Sequence, residues 1–140
     1  NIQEQKHVIQ LLNRRLANIR HNYLHQVTTE IVKTKPSRIV MENININGMM
    51  KNRHLSKSIG EQGLYYFKQM IQYKCLKYGI KFCQVPTFYP SSKTCSHCGS
   101  IKKDLRLSDR IYHCDECGLT IDRDYNAAIN LANYIFAESV

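Results

Sequence analysis

Residues 95–118 have the sequence CSHCGSIKKDLRLSDRIYHCDECG, in which two C-x2-C pairs are separated by 15 residues. This spacing is typical of zinc sites in proteins of reducing compartments. Each pair supplies two thiolates from one tight turn, and four thiolates complete the tetrahedral shell of a structural zinc ion. The predicted ligands of Zn²⁺ are therefore Cys95, Cys98, Cys114 and Cys117. Since these four ligands leave no open position, the predicted zinc ion is structural and not catalytic.

Basic side chains lie in and around this predicted zinc ribbon. They are Lys93, Lys102, Lys103, Arg106, Arg110 and Arg123. Such a set can contact the phosphates of a nucleic acid. A solvated hairpin surface explains the same charges, and the sequence leaves both interpretations open.

The composition indicates a globular, basic protein. The chain has 140 residues, 43% of them hydrophobic and 22% charged, with a net charge of +9. This length suits one ordinary domain, and the charge favours a polyanionic partner such as nucleic acid, with solubility as the alternative. No apolar run is long enough to span a membrane, and the first residues show no secretory signal. We therefore expect no membrane partner and a cytoplasmic location.

The spacing of apolar residues predicts helices and strands on both sides of the ribbon. In chain order, they are a helix over 1–35, a strand over 38–41, a helix over 61–78, a strand over 80–85 and a helix over 124–136. The first helix has an apolar stripe, which predicts a face that packs against a core, with assembly with another chain as the alternative. The stripe consists of Ile9, Leu12, Leu16, Ile19, Tyr23, Val27 and Ile31. The strand–helix–strand order predicts parallel strands joined by a right-handed crossover, and hence an α/β fold.

Two further pairs of side chains have competing interpretations. His21 and His25 lie four residues apart on the first helix and could chelate a metal ion, although a packed or solvated pair explains them more simply. Cys75 and Cys83 lie in or beside apolar segments and are predicted to be buried free thiols.

Carboxylates follow the first strand and open the last helix. Glu42 comes directly after the strand, and ligands of open α/β sheets bind at the carboxyl ends of strands. Asp122 and Asp124 stand where a helix-capping residue is expected, although two of them exceed what capping needs. If Glu42 and Asp124 converge, their oxygens could hold Mg²⁺ or Mn²⁺ and support phosphodiester cleavage. A solvent-facing strand end and an ordinary cap are the alternatives.

Four segments of the chain together resemble the OrfB or TnpB family of insertion-sequence proteins, to which miniature type V CRISPR effectors are similar. In chain order, they are IVMENININGM at 39–49, YPSSKTCSHCG at 89–99, CDECG at 114–118 and DRDYNAAINL at 122–131. The resemblance covers nearly the whole chain in the right order. It implies an RNA-guided, metal-dependent DNA endonuclease that acts with a guide RNA and target DNA.

The resemblance also implies a fold and a set of site residues. The expected fold is an incomplete RNase H-like (RuvC) fold with an inserted four-cysteine zinc ribbon and a long N-terminal helix. Residues 1–93 would form a partial RuvC region, 94–119 the zinc ribbon and 120–140 the final RuvC helix. By motif, Glu42 and Asp124 match the second and third catalytic carboxylates of the family, and Asp122 matches a frequent aspartate with a less defined role.

One departure from the family pattern concerns the first catalytic aspartate, which lies on an early strand. Here only Glu4 and Glu30 precede Glu42, and both belong to the predicted helix. We therefore expect the chain to be the C-terminal part of such a protein. The missing portion could be a separate chain, or a homodimer could complete the site. The alternative is a nucleic-acid-binding module, or an accessory or regulatory subunit, that does not cleave.

Overall fold

A computed structural model describes residues 1–45, 51, 63–106 and 108–135 of the chain. The predicted basic loop over 49–55 lies outside this part, apart from Lys51. The chain divides into two compact units. The first comprises Asn1–Ile39 and Asn45–Phe82, and the second comprises Val40–Ile44 and Cys83–Val140.

The first unit is built on two helices. Helix α1 spans Ile2–Lys33 and helix α2 spans Leu64–Tyr78. Helix α1 ends just before Pro36, whose ring cannot continue a helix. Helix α2 ends at Gly79, which adopts a left-handed conformation (φ 67°) that favours glycine.

Only the C-terminal part of α1 is packed as its periodicity predicts. Val32 is buried, and Met70, Ile71 and Cys75 of α2 are buried as well. In contrast, the first five positions of the predicted stripe are exposed, and its last two, Val27 and Ile31, are partly buried. The prediction of a core-facing stripe is therefore wrong for the N-terminal part of α1 and holds only near its C-terminal end. Periodicity identifies the apolar side of a helix but does not supply an element that covers it.

Two short strands pair in a two-stranded sheet. Strand β1 spans Arg38–Glu42 and strand β2 spans Lys81–Val85. Where the two strands begin, the Lys81 N–H donates to the Ser37 carbonyl at 3.3 Å. After them, the Asn43 amide donates to the Thr87 hydroxyl at 3.2 Å. Because their starts meet and their ends meet, the strands run in the same direction, as the strand–helix–strand order predicts. The right-handed path of the connection stays a prediction.

The second unit contains a small antiparallel hairpin and the last helix. Strand β3 spans Ile111–His113 and strand β4 spans Thr120–Asp122, with Tyr112 opposite Ile121. Helix α3 follows directly and spans Arg123–Ala132, so it ends earlier than the predicted 136. The hairpin encloses the second C-x2-C pair, which lies between its two strands. A turn through a cysteine pair already brings its two flanking segments together, so no separate hairpin loop is needed.

Buried side chains of the hairpin and the cysteine pairs form a core in the second unit. Tyr112, Cys95 and Cys114 are buried there, and Leu105, Leu119 and Ile121 pack against them. The other two thiols, Cys75 and Cys83, are also buried, as the sequence predicts. No helix in the described part of the chain is long and apolar enough to cross a membrane.

Candidate metal centre and carboxylate site

The two cysteine pairs adopt the same backbone turn. The Gly99 N–H donates to the Cys95 carbonyl at 2.9 Å, and the Gly118 N–H donates to the Cys114 carbonyl at 3.0 Å. Both glycines have positive φ, of 77° and 74°, which the sequence predicts for these turns. The local sequence C-x2-C-G thus folds twice into a turn that directs two sulfur atoms to one side.

The four sulfur atoms converge on one point. All four Sγ atoms lie within 4.8 Å of one another. The Sγ atoms of Cys95 and Cys117 are 3.7 Å apart, and those of Cys98 and Cys114 are 3.6 Å apart. A Zn–S distance of about 2.3 Å gives a tetrahedron with edges of roughly 3.8 Å. The geometry and the four thiol donors therefore fit a bound metal ion.

Ser100 is a part of this centre that the sequence did not reveal. Its hydroxyl lies 3.2 Å from the sulfur atoms of both Cys98 and Cys114. The Ser100 hydroxyl, followed by the backbone N–H groups of Cys117 and Glu116, lowers the pKa of the Cys114 thiol to about 6. Since thiolates are the form that binds metal, this lowered pKa favours the ligating state of Cys114. A serine that follows the first cysteine pair by two residues carries no distinct signal.

The histidines close to the predicted metal sites take no part in a metal cluster. In the described residues, the four cysteines are the only group of three or more potential ligands close enough to share an ion. His113 lies 2.9 Å from the Thr120 hydroxyl through Nδ1. On α1, His21 packs edge-on against Tyr66, and His25 Nδ1 lies 2.9 Å from Lys74 Nζ. The packed interpretation of His21 and His25 therefore holds.

Glu42 lies at the end of β1 and its side chain is bound by a neighbouring segment. The Ser91 hydroxyl donates a hydrogen bond to Glu42 Oε1. Glu42 is exposed, whereas Ser91 is buried. The Gln84 amide of β2 contacts the Glu42 carbonyl at 3.5 Å. The strand end therefore presents the carboxylate at the surface while a buried hydroxyl restrains it.

The two predicted aspartates have different environments at the start of α3. Asp122 is the N-cap, and its Oδ1 accepts from the N–H groups of Asp124 and Tyr125 at 2.9 Å each. Asp124 is exposed and lies 3.3 Å from the Arg123 guanidinium and 4.0 Å from that of Arg110. The capping interpretation of Asp122 is therefore correct, and Asp124 is a carboxylate with two arginine guanidinium groups beside it.

Some of the predicted nucleic-acid contacts are exposed side chains, and others already form ion pairs or hydrogen bonds within the protein. Lys103 and Arg106 are exposed. Lys102 forms an ion pair with Asp115 at 2.7 Å, and Lys93 Nζ donates to the Lys103 carbonyl at 3.4 Å. Arg110 and Arg123 lie beside Asp124, as described above. Three of the six side chains are thus exposed, namely Lys103, Arg106 and Arg110, and Arg110 also lies near Asp124.

The sequence also provided no direct indication that two asparagines of α3 are buried. Asn126 and Asn130 donate side-chain hydrogen bonds to the Thr94 carbonyl at 2.7 Å each. These bonds fix the segment before the first cysteine pair to α3. The spacing of four residues places both asparagines on one face, which is the only signal that a sequence could give.

Comparison with known proteins identifies a matching domain model and several relatives. The family model described as "Cas12f1-like, TNB domain" matches residues 65–131. InsQ of Escherichia coli (strain K12) is 36% identical over 146 residues, which cover 94% of this chain and 36% of InsQ. TnpB-like protein L79 of Acanthamoeba polyphaga mimivirus is 33% identical over 125 residues, which cover 85% of this chain and 23% of that protein.

Cas12f1 is similar in both sequence and structure. The CRISPR-associated endodeoxyribonuclease Cas12f1 of Sulfoacidibacillus thermotolerans is 32% identical over 142 residues, which cover 94% of this chain and 32% of that protein. A Cas12f1 solved in complex with sgRNA and target DNA superposes with a TM-score of 0.69 at 25% identity, over 92% of this chain and 37% of that one. This chain thus spans about a third or less of the length of these relatives. Over most of its length, this chain is similar to TnpB-like proteins and to Cas12f1, and residues 65–131 match the Cas12f1-like TNB domain.

Proposed function

We propose that the chain is the C-terminal RuvC and zinc-ribbon portion of a metal-dependent DNA endonuclease that an RNA guides to its target. The observation that carries this proposal is the exposed Glu42 carboxylate, which a buried hydroxyl restrains in the same compact unit as the exposed Asp124. The relatives support it, since Cas12f1 has been solved with sgRNA and target DNA.

Glu42 and Asp124 are the residues that would hold Mg²⁺ or Mn²⁺. Hard divalent cations prefer carboxylate oxygens, and both groups are exposed at the ends of regular elements. The carboxyl ends of parallel strands are the usual place for ligands in α/β folds, and Glu42 ends β1. Bound Mg²⁺ or Mn²⁺ supplies a Lewis acid and an activated water for phosphodiester hydrolysis. Asp122 would position Asp124 by capping α3.

A third carboxylate would come from outside this chain. The family resemblance implies a first catalytic aspartate on an early strand, and no aspartate precedes Glu42 in this sequence. We propose that a preceding portion of the protein, present as a separate chain or as another segment, supplies it, or that a homodimer does. The β1–β2 pair would then join the larger sheet of an RNase H-like fold.

The four cysteines would hold Zn²⁺ in a structural role. All four ligand positions are taken by thiols, so the ion would have no open position for substrate. Its effect would be to hold the two turns together and so to fix the start of α3, which carries Asp124.

The exposed side chains of Lys103 and Arg106 are candidate contacts to the guide RNA or the target DNA. The net charge of +9 supports a polyanionic partner for the chain as a whole. Because Lys102 is paired with Asp115, its contribution to such binding should be smaller.

Cleavage of labelled single- and double-stranded DNA in Mg²⁺ or Mn²⁺, by the protein with the preceding portion present, tests the proposal. Metal-dependent cleavage should disappear in Glu42→Ala and in Asp124→Ala. It should persist in Glu30→Ala, which removes an exposed glutamate of α1. Full activity in either of the first two variants would contradict the assigned carboxylates.

A second candidate function is nucleic-acid binding without cleavage, as an accessory or regulatory subunit. It is favoured by one observation: no group of three carboxylates that could share an ion lies within the described residues. Salt-dependent binding that survives the loss of Glu42 and Asp124, with no cleavage in any metal, supports this candidate. Cleavage that both carboxylate variants abolish would exclude it.

A further inference from the structure

The Glu42 carboxylate depends on a buried serine in the segment before the zinc ribbon. The Ser91 side chain is only 3% exposed, and its hydroxyl donates to Glu42 Oε1. A glutamate at the surface samples several rotamers, because its side chain turns about three bonds. A hydroxyl that cannot move away from this position would select the rotamer in which Oε1 faces it.

Ser91 is in turn held by α3. The Asn130 amide donates to the Ser91 carbonyl at 2.8 Å and to the Thr94 carbonyl at 2.7 Å. The Asn126 side chain accepts from the Ser96 N–H at 2.9 Å, and it is fully buried. The segment from Ser91 to Ser96 is therefore fixed at both ends by two asparagines of one helix.

We propose that Ser91 is a positioning residue that orients Glu42 for metal binding and that Asn130 maintains Ser91 in this role. The inference rests on the proposed function, in which Glu42 is a metal ligand. One hydrogen-bonded path then runs from Asn130 through Ser91 to the Glu42 carboxylate. Since Asn130 lies on the helix that carries Asp124 in its first turn, the same helix positions both proposed ligands.

The chemistry of the pair suits this role. A carboxylate has two oxygens with about four lone pairs, and the Ser91 hydroxyl occupies one of them. Most of the coordinating capacity of the carboxylate therefore remains available to a metal ion. Groups that orient metal ligands through hydrogen bonds typically contribute about 10- to 100-fold to metal affinity or activity.

Mn²⁺ affinity, measured by electron paramagnetic resonance on the zinc-loaded protein, tests the inference without requiring cleavage. Ser91→Ala should weaken Mn²⁺ binding roughly tenfold, and Asn130→Ala should weaken it in the same direction. Ser91→Thr keeps a hydroxyl and should restore affinity to within about twofold of the wild type. Ser92→Ala makes the same chemical change one residue further on and should have no effect.

Circular dichroism and zinc content separate a positioning effect from loss of folding. Weakened Mn²⁺ binding in a folded, zinc-loaded Ser91→Ala variant, with rescue by Ser91→Thr, supports the role. Unchanged Mn²⁺ affinity in Ser91→Ala and Asn130→Ala, with binding abolished by Glu42→Ala, overturns this inference alone. Unchanged affinity in Glu42→Ala overturns the proposed function as well.

Discussion

The ammonium group of Lys74 on α2 donates a hydrogen bond to the main-chain carbonyl of His25 on α1 at 2.7 Å. It also donates to the hydroxyls of Thr28 and Thr29 at 2.7 Å each, and the Lys74 side chain is only 2% exposed. A lysine ammonium has three donors, which these three oxygens share with His25 Nδ1 at 2.9 Å. A cation is thus buried at the contact between the two helices, where an apolar side chain is the usual occupant.

The packing of the Lys74 side chain should matter more for stability than its charge. The Thr28 hydroxyl also donates a hydrogen bond to the Leu24 carbonyl, and the Thr29 hydroxyl donates one to the His25 carbonyl. Both hydroxyls therefore keep a partner without Lys74. Lys74→Ala leaves a cavity and should lower the free energy of unfolding by about 2–4 kcal/mol. Lys74→Met fills the space and should cost less than about 1.5 kcal/mol. Urea denaturation of the two variants checks this, and equal costs would contradict it.

The same lysine should make stability depend on alkaline pH. Burial lowers the pKa of Lys74 from its ordinary value of 10.5. The folded state then binds fewer protons than the unfolded state just below pH 10.5, so the free energy of unfolding should rise with pH in that window. Lys74→Met lacks this group and should lack the rise. Denaturation of both proteins between about pH 8 and about pH 10.5 should show that the free energy of unfolding of the wild type rises relative to that of the variant. A constant difference would contradict the direction of the shift.

Asn126 should be important for the stability of the second unit. Asn126→Ala leaves the Ser96 N–H without its bond of 2.9 Å and removes one donor from the Thr94 carbonyl. Loss of these buried bonds should lower the free energy of unfolding by about 2–4 kcal/mol. The matched control is Asn133→Ala at the exposed end of the same helix, which should change it by less than about 0.5 kcal/mol. Similar effects of both variants would show that burial of the asparagine is not what matters.

The four cysteines should bind one zinc ion per chain. Cys98→Ser removes an exposed ligand, so it should abolish zinc binding with little direct effect on packing. Cys83→Ser changes a buried thiol outside the cluster and should keep the zinc. Mass spectrometric metal analysis, with cobalt substitution to detect thiolate coordination, measures both variants. Retention of one tightly bound zinc in Cys98→Ser would argue against the assigned ligand set.

Local sequence patterns predict the parts of this molecule in which neighbouring residues determine the conformation. The spacing C-x2-C-G predicts two identical turns with positive φ at Gly99 and Gly118, and the structure contains both. The ends of α1 and α2 follow from Pro36 and Gly79 in the same way. These features depend on a few consecutive residues, so a single sequence is sufficient to predict them.

Features that depend on distant parts of the chain could not be predicted. Lys74 lies among buried residues of α2 and is charged, yet its partners are more than 40 residues away. The bond from Ser91 to Glu42 also joins distant segments, and nothing local to YPSSK indicates it. The exposed N-terminal part of the stripe on α1 is the opposite case, in which a correct helix prediction led to an expectation of packing that holds only near the end of the helix.

The most direct test of the central claim is whether Glu42 and Asp124 bind the same cation. Mn²⁺ affinity of the zinc-loaded protein should be measured for Glu42→Gln, Asp124→Asn and the double variant. If both carboxylates ligate one ion, the Mn²⁺ affinity of each single variant should be at least about tenfold lower than that of the wild type. The reduction in the double variant should be smaller than the product of the two single reductions. Unchanged affinity in either single variant, or losses that multiply independently, would contradict a shared metal site.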